Sequence, residues 1–108
     1  MERFDVKFLP EAKEFLRSIE QKAVAKVLRD IRVARTQINP DLLKKLDGNI
    51  WEFRTEYSGQ QYRLLAFWDK REAAGTLVVA THGIIKKSDK MPRREIDRAE
   101  RIRQQYFD

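Results

Sequence analysis

A chain of 108 residues with a net charge of +6 has the size of one small domain and the charge balance of a protein that meets polyanions. Its charged content, 37%, is well above the usual ~25%, yet 42% hydrophobic residues are enough for one compact core, which excludes wholesale disorder. The lack of cysteine excludes disulfide stapling, thiolate catalysis and Cys-based metal sites, and a single histidine, His82, excludes a His-rich metal cage.

No apolar run approaches the ~18 residues of a membrane span, and Met1-Glu2-Arg3-Phe4-Asp5 has no signal-peptide core. The expectation is a soluble cytoplasmic protein, with residues 1–108 forming a single domain and no membrane partner.

In chain order, Phe4 to Leu9 alternates as a short strand, and Pro10 suits the first turn of a helix. Ala12, Phe15, Leu16 and Ile19 follow at helical spacing. A second stripe runs through Val24, Val27, Leu28 and Ile31 to Ala34, with Lys22, Lys26, Arg29, Arg32 and Arg35 opposite. The pattern predicts a helical hairpin, or one kinked helix, ending before Asn39-Pro40. Asp41 to Lys45 reads as a connection carrying the apolar Leu42-Leu43-Leu46 element, and Asp47-Gly48-Asn49 as a turn.

Ile50 to Tyr57 alternates cleanly: Trp51, Phe53, Thr55 and Tyr57 on one face, Glu52, Arg54 and Glu56 on the other. Ser58-Gly59 is a tight turn, and Gln61 to Asp69 returns with Tyr62, Leu64, Ala66 and Trp68 opposed to Arg63, Leu65 and Phe67. Lys70 to Gly75 reads as a polar loop and Thr76 to Ile85 as a third long strand, apolar on both faces. After the polar stretch Lys86 to Met91, a helix from Pro92 to Phe107 carries Ile96, Ala99, Ile102 and Tyr106 as its stripe. Its Asp97–Arg101 and Glu95–Arg98 spacings predict helix-surface ion pairs. The fold expected is α+β, in the order β-α-α-β-β-β-α. It has a small twisted, mainly antiparallel sheet with the helical hairpin on one face and the other face open or crossed by the C-terminal helix.

The usual catalytic signatures are absent: no P-loop, no dinucleotide fingerprint, no G-x-S-x-G. What remains is cationic. Arg54 and Arg63 flank the Ser58-Gly59 turn, so a tight hairpin brings them to the same end of the sheet, with the shared face set by register. An arginine in an apolar strand calls for a partner. The residues leave two readings of Arg63 open: an ion pair with Glu52 or Glu56, or a seat for an anion. Lys86, Lys87 and Lys90 cluster just ahead of the last helix, as a phosphate contact or as a solvated loop. His82 reads either as a hydrogen-bonded core residue or as a group that titrates near neutrality.

Taken as an ordered set, Trp51-Glu52-Phe53-Arg54, Tyr62-Arg63, and His82-Gly83-Ile84-Ile85-Lys86-Lys87-Ser88-Asp89-Lys90-Met91-Pro92-Arg93-Arg94-Glu95-Ile96 resemble the RelE/ParE toxin superfamily, in its HigB-like, phage-derived branch. The resemblance runs from about Leu43 to Ala99, with Ile84 standing where the branch often has Phe. It implies the toxin of a type II toxin–antitoxin pair, an mRNA interferase acting at the ribosome without a metal or other cofactor. The partners implied are mRNA, the ribosome and a small helix-turn-helix antitoxin. Carried onto this sequence, it implies Arg63 and Arg54, then Lys86 and Lys87, as catalytic groups, with Lys90, His82 and Glu52 contacting RNA or orienting the arginines. Two other readings fit the same resemblance: a non-cleaving RNA- or ribosome-binding module, and a ParE-like gyrase poison.

Overall fold

Ser58 (φ 52°) and Gly59 (φ 80°) both take left-handed backbone, the conformation a two-residue hairpin turn requires. They join β3 (Ile50–Tyr57) to β4 (Gln60–Asp69), and this hairpin is the centre of the computed structural model, which describes residues 1–72 and 75–108. Ala73 and Ala74, within the predicted Lys70–Gly75 loop, lie outside the described residues. The remaining elements are β1 (Asp5–Phe8), α1 (Pro10–Ser18), α2 (Gln21–Thr36), β2 (Leu43–Asp47), β5 (Leu77–Lys86) and α3 (Arg93–Phe107). The five strands form one mixed sheet in the order β1-β5-β4-β3-β2, antiparallel except for the parallel β1/β5 pair.

The predicted order holds, with one strand more than the pattern indicated. Leu43 to Asp47 pairs antiparallel with β3, although the sequence reads as a connection. Two adjacent lysines break its alternation, and the register shifts between Lys45 and Asp47, so no period-two signal survives. The strand exists because Leu43 is buried under the helical layer while Lys44 and Lys45 stay exposed. Exposed lysines are common guards of a sheet edge.

The two sheet faces have separate cores. On the first, Ala12 of α1 and Ala23, Val27, Ile31 and Ala34 of α2 pack on Phe53, Tyr62, Leu64, Ala66, Val78 and Ala80. The helices break at Ile19, which is extended (φ −107°), so they form a hairpin rather than one rod. Tyr62 is part of this core, as its alternation with Leu64 and Ala66 predicts. Arg3 donates to the Ala34 and Gln37 carbonyls (2.6 and 2.8 Å) at the C-terminal end of α2, where unpaired carbonyls favour a cation.

On the second face lie Ile50, Leu65, Phe67, Val79 and, from α3, Ala99, with Tyr106 and Phe107 stacked edge-on or tilted against Phe67. The C-terminal helix therefore crosses the face that the sequence left open or crossed. Tyr106 packs as its stripe predicts, and its hydroxyl donates to Asp69 Oδ2 (2.8 Å). The Arg71 guanidinium on Asp69, with the Arg71 backbone N–H and the Tyr106 hydroxyl, outweighs burial and holds the Asp69 carboxyl well below the usual range. The ion pairs predicted within α3 are replaced by others. Asp97 pairs with Arg93 (3.2 Å), Arg98 reaches Glu11 of α1, Arg93 also reaches Asp47 of β2, and Glu95 turns inward to His82. Helical spacing permits local pairs, but Glu11 of α1, Asp47 of β2 and His82 of β5 compete for the same side chains.

Candidate nucleic-acid interface

The β3/β4 register sets Arg54 directly opposite Arg63, with Glu52 opposite Leu65 and Glu56 opposite Gln61. All four charged groups therefore share the face that α3 crosses, beyond the apolar patch that α3 covers. Like charges directly opposite on a sheet repel, so the arginine pair needs a counter-charge. Glu52 supplies part of it: Oε1 lies 3.5 Å from Arg63 Nε and Oε2 3.7 Å from Arg54 Nε. Both separations exceed the ~2.7–2.9 Å of a charge-assisted hydrogen bond. Glu52 Oε1, Arg54 Nε and Arg63 Nε are all buried atoms without a hydrogen-bond partner among the described residues.

Arg63 is held from two other directions. Its Nη1 donates to the Tyr62 carbonyl and its Nη2 to Gln61 Oε1, both at 3.0 Å. Burial lowers its pKa from the ordinary arginine value, Glu52 and Glu56 oppose that, and Arg54 adds to it; the guanidinium stays charged. Arg63 is only 3% exposed, whereas the Arg54 side chain keeps 28% of its surface and donates to the Pro40 carbonyl at 3.3 Å. The sequence ranking is thus inverted in accessibility: Arg54 is the open cation and Arg63 the one anchored beneath. Asp41, Thr55, Glu56 and Gln61 complete a cleft of about 220 Å³ around the pair. Gln61 was missed by sequence reasoning; its place two residues before Arg63, on the same strand face, was the available signal.

Lys86 ends β5 opposite Gln61, which puts it beside the arginine cleft. It also lines, with Lys87, Pro92, Arg94 and Glu95, a neighbouring groove at the start of α3. Lys87 belongs to that groove, and Lys90 stands exposed in the connection ahead of α3. The sheet thus brings Arg54, Arg63, Glu52 and Lys86 together and leaves Lys87 and Lys90 on the adjoining rim.

His82 is the exception among the sequence candidates. It is 1% exposed beneath α3, its Nε2 3.0 Å from Glu95 Oε1 and its Nδ1 3.0 Å from Thr81 Oγ1. A bulge sets this up: Leu65 pairs with His82 and Ala66 with Ala80, so Thr81 is the extra residue and its hydroxyl donates to the Leu65 carbonyl (3.2 Å). Burial beneath α3 keeps His82 out of the arginine cleft and out of the groove that Lys86 and Lys87 line. Burial lowers its pKa from the usual imidazole value; Glu95 and Glu11 oppose this and Arg98 adds to it.

A histidine whose folded pKa is depressed binds its proton more readily in the unfolded chain. Stability is therefore full above the unfolded pKa and declines as pH falls below it. Thermal unfolding between pH 7.5 and 5 is expected to show this decline, at no more than about 1.4 kcal/mol per pH unit for one proton. His82→Gln should remove that component; an unchanged acid slope in the variant would place the cause elsewhere.

The geometry so far defines a class: a small α+β protein with a cationic seat on the open end of an antiparallel sheet. Residues 14–104 match the family of phage-derived Gp49-like proteins (DUF891), and the chain belongs to it. That family is one of toxin–antitoxin toxins of RelE/ParE-like type, so the protein is placed as the toxin of such a pair, with an antitoxin as its partner. No curated protein matches the chain. Among the described residues no helix is long and apolar enough to cross a membrane.

Proposed function

We propose that this toxin is an mRNA endoribonuclease of the HigB-like kind, acting on message held by the ribosome in the cytoplasm. One observation carries the reading: two guanidinium groups in direct cross-strand register share a single carboxylate at more than hydrogen-bond distance, beside Lys86. Arg54 Nε and Arg63 Nε lack a hydrogen-bond partner among the described residues, and an RNA phosphate brings oxygen acceptors to the pair.

In the proposed reaction the 2′-oxygen attacks the adjacent phosphorus, forming an O2′–P bond as the P–O5′ bond breaks. The products are a 2′,3′-cyclic phosphate and a 5′-hydroxyl end. The 2′ proton leaves to a base and the departing 5′-oxygen takes a proton from an acid. Arg54, as the accessible guanidinium, meets the phosphate; Arg63 beneath it strengthens the field on the charge that develops in the transition state. Lys86 beside the cleft and Lys87 on its rim hold the scissile or neighbouring phosphate. Lys90, exposed just ahead of α3, steers the polyanion toward the cleft. Glu52 holds the two arginines apart and oriented.

Primer extension on messages from cells expressing the protein tests the reading. Discrete new 5′ ends are expected with the wild type and none with Arg54→Ala. Growth arrest with intact messages would replace cleavage by RNA or ribosome binding alone. Intact messages together with DNA-damage signalling would indicate a gyrase poison.

A further inference from the structure

Five buried side-chain polar atoms among the described residues lack a hydrogen-bond partner. Three belong to the Glu52/Arg54/Arg63 cluster; the other two are Arg3 Nε and Trp68 Nε1. Orphaned buried donors are uncommon in a native fold, and a pair of them in one place calls for an explanation. Arg3 and Trp68 line the same cleft, of about 620 Å³, with Lys45, Trp51, Lys70 and Arg103.

This cleft is separate from the arginine seat. Trp51 and Trp68 lie on the helical-hairpin face of the sheet, toward the Gly48 turn, whereas Arg54 and Arg63 lie on the opposite face near the Ser58-Gly59 turn. Its charge is one-sided, since four of its lining residues are cations and none is acidic. Arg103 is paired with Glu100 (3.2 Å), but no carboxylate lies within 4.0 Å of Lys45 or Lys70 among the described residues.

The walls are apolar as well as basic. Leu43 and the two indoles line it, and Ile38, 84% exposed, stands at its margin. A solvated isoleucine beside two half-buried tryptophans is an apolar patch without a partner. Stacking of a nucleobase is poorly served. Lys70 Nζ already lies over the Trp68 ring (5.5 Å), and Phe4 and Trp51 meet that ring near right angles, with centroids 5.2 and 5.5 Å away. What the cleft offers instead is cations around an apolar floor. That combination fits carboxylates flanking an aliphatic or aromatic anchor better than it fits a stack of bases.

We infer that this cleft is the docking site for an acidic, apolar-anchored segment of the antitoxin. The inference rests on the toxin–antitoxin assignment and not on RNA cleavage. It makes neutralisation a contact remote from the arginine seat, on the other face of the sheet.

Trp51 and Trp68 are the two tryptophans of the chain, and both line the cleft, so a label on them reports on it alone. The test uses the full-length toxin carrying 5-fluorotryptophan. The probe is the purified antitoxin encoded by the neighbouring open reading frame of the pair. Both fluorine signals are expected to shift on binding. The exposed double variant Lys45→Glu/Lys70→Glu is expected to bind at least tenfold more weakly, to keep its growth inhibition, and to escape neutralisation by co-expressed antitoxin. Equal affinity for the variant with unmoved fluorine signals in the wild-type complex would overturn the cleft and leave the toxin–antitoxin assignment standing. No complex with the wild type at all would overturn both. Signals moved by a single-stranded oligouridylate and not by the antitoxin would make the cleft an RNA site and overturn the inference.

Discussion

Replacing Arg63 by alanine is expected to abolish growth inhibition while the chain still folds. The guanidinium is 3% exposed and held by Gln61, the Tyr62 carbonyl and Glu52, so its loss removes a fixed charge from beneath Arg54. Loss of one preorganised charge at an anionic transition state costs about 10²–10³-fold in rate, which is the expected fall in message cleavage. The same substitution leaves Glu52 buried with Arg54 as its one remaining cation, so its cost stays below the roughly 3–5 kcal/mol of a fully unpaired buried charge. The double variant Glu52→Gln/Arg63→Ala removes that penalty and keeps the question answerable if the single variant unfolds. Arg63→Lys keeps the charge but not the planar fork, and should retain the fold with activity well below wild type. Circular dichroism reports folding and growth inhibition reports activity. Full toxicity in any folded variant lacking Arg63 would sink its assignment.

The second large effect concerns stability. Gly83 lies opposite Leu64 on the face packed by α1, and a Cβ placed on it would come within 2.1 Å of Phe15 Cδ2 and 2.4 Å of Phe15 Cγ. Phe15 Cγ is near the root of its side chain, so the ring cannot escape by moving its tip. Gly83→Ala must push α1 off β5, an overpacking expected to cost about 3 kcal/mol. For a domain this size that lowers the midpoint of thermal unfolding by roughly 10–20 °C. In a Phe15→Ala background the same change has space to fill, and its cost should fall below about 1 kcal/mol, a coupling that marks direct contact. An unshifted midpoint in the single variant would mean that α1 does not approach β5 so closely.

Parts of this site were legible because strands write their faces into the sequence. Alternation from Ile50 to Tyr57 put Arg54 opposite in facing to Phe53, and alternation after Gln61 did the same for Arg63 against Tyr62. The Ser58-Gly59 turn fixes the register by its length, which makes Arg54 and Arg63 partners. Other parts left no local trace. Nothing at Thr81 announces a bulge, yet that bulge holds His82 under α3 within reach of Glu95. Nothing in the helical spacing of α3 distinguishes Arg98 bound to Glu11 from Arg98 bound to Glu95.

The amino-acid sequence by itself determined the chemistry open to this protein: no thiol, one imidazole, and a surplus of guanidinium and ammonium groups on an amphipathic α+β pattern. It also determined which side of β3 and β4 the arginines occupy, because side-chain direction in an unbroken strand alternates with position along the chain. The tertiary structure alone decided which of them remain accessible. Burial under α3 withdrew His82, the depth of the sheet set Arg63 beneath Arg54, and an unforeseen edge strand carried Lys45 alongside two tryptophans. Accessibility and pairing depend on contacts between residues far apart in sequence, and no local pattern encodes them.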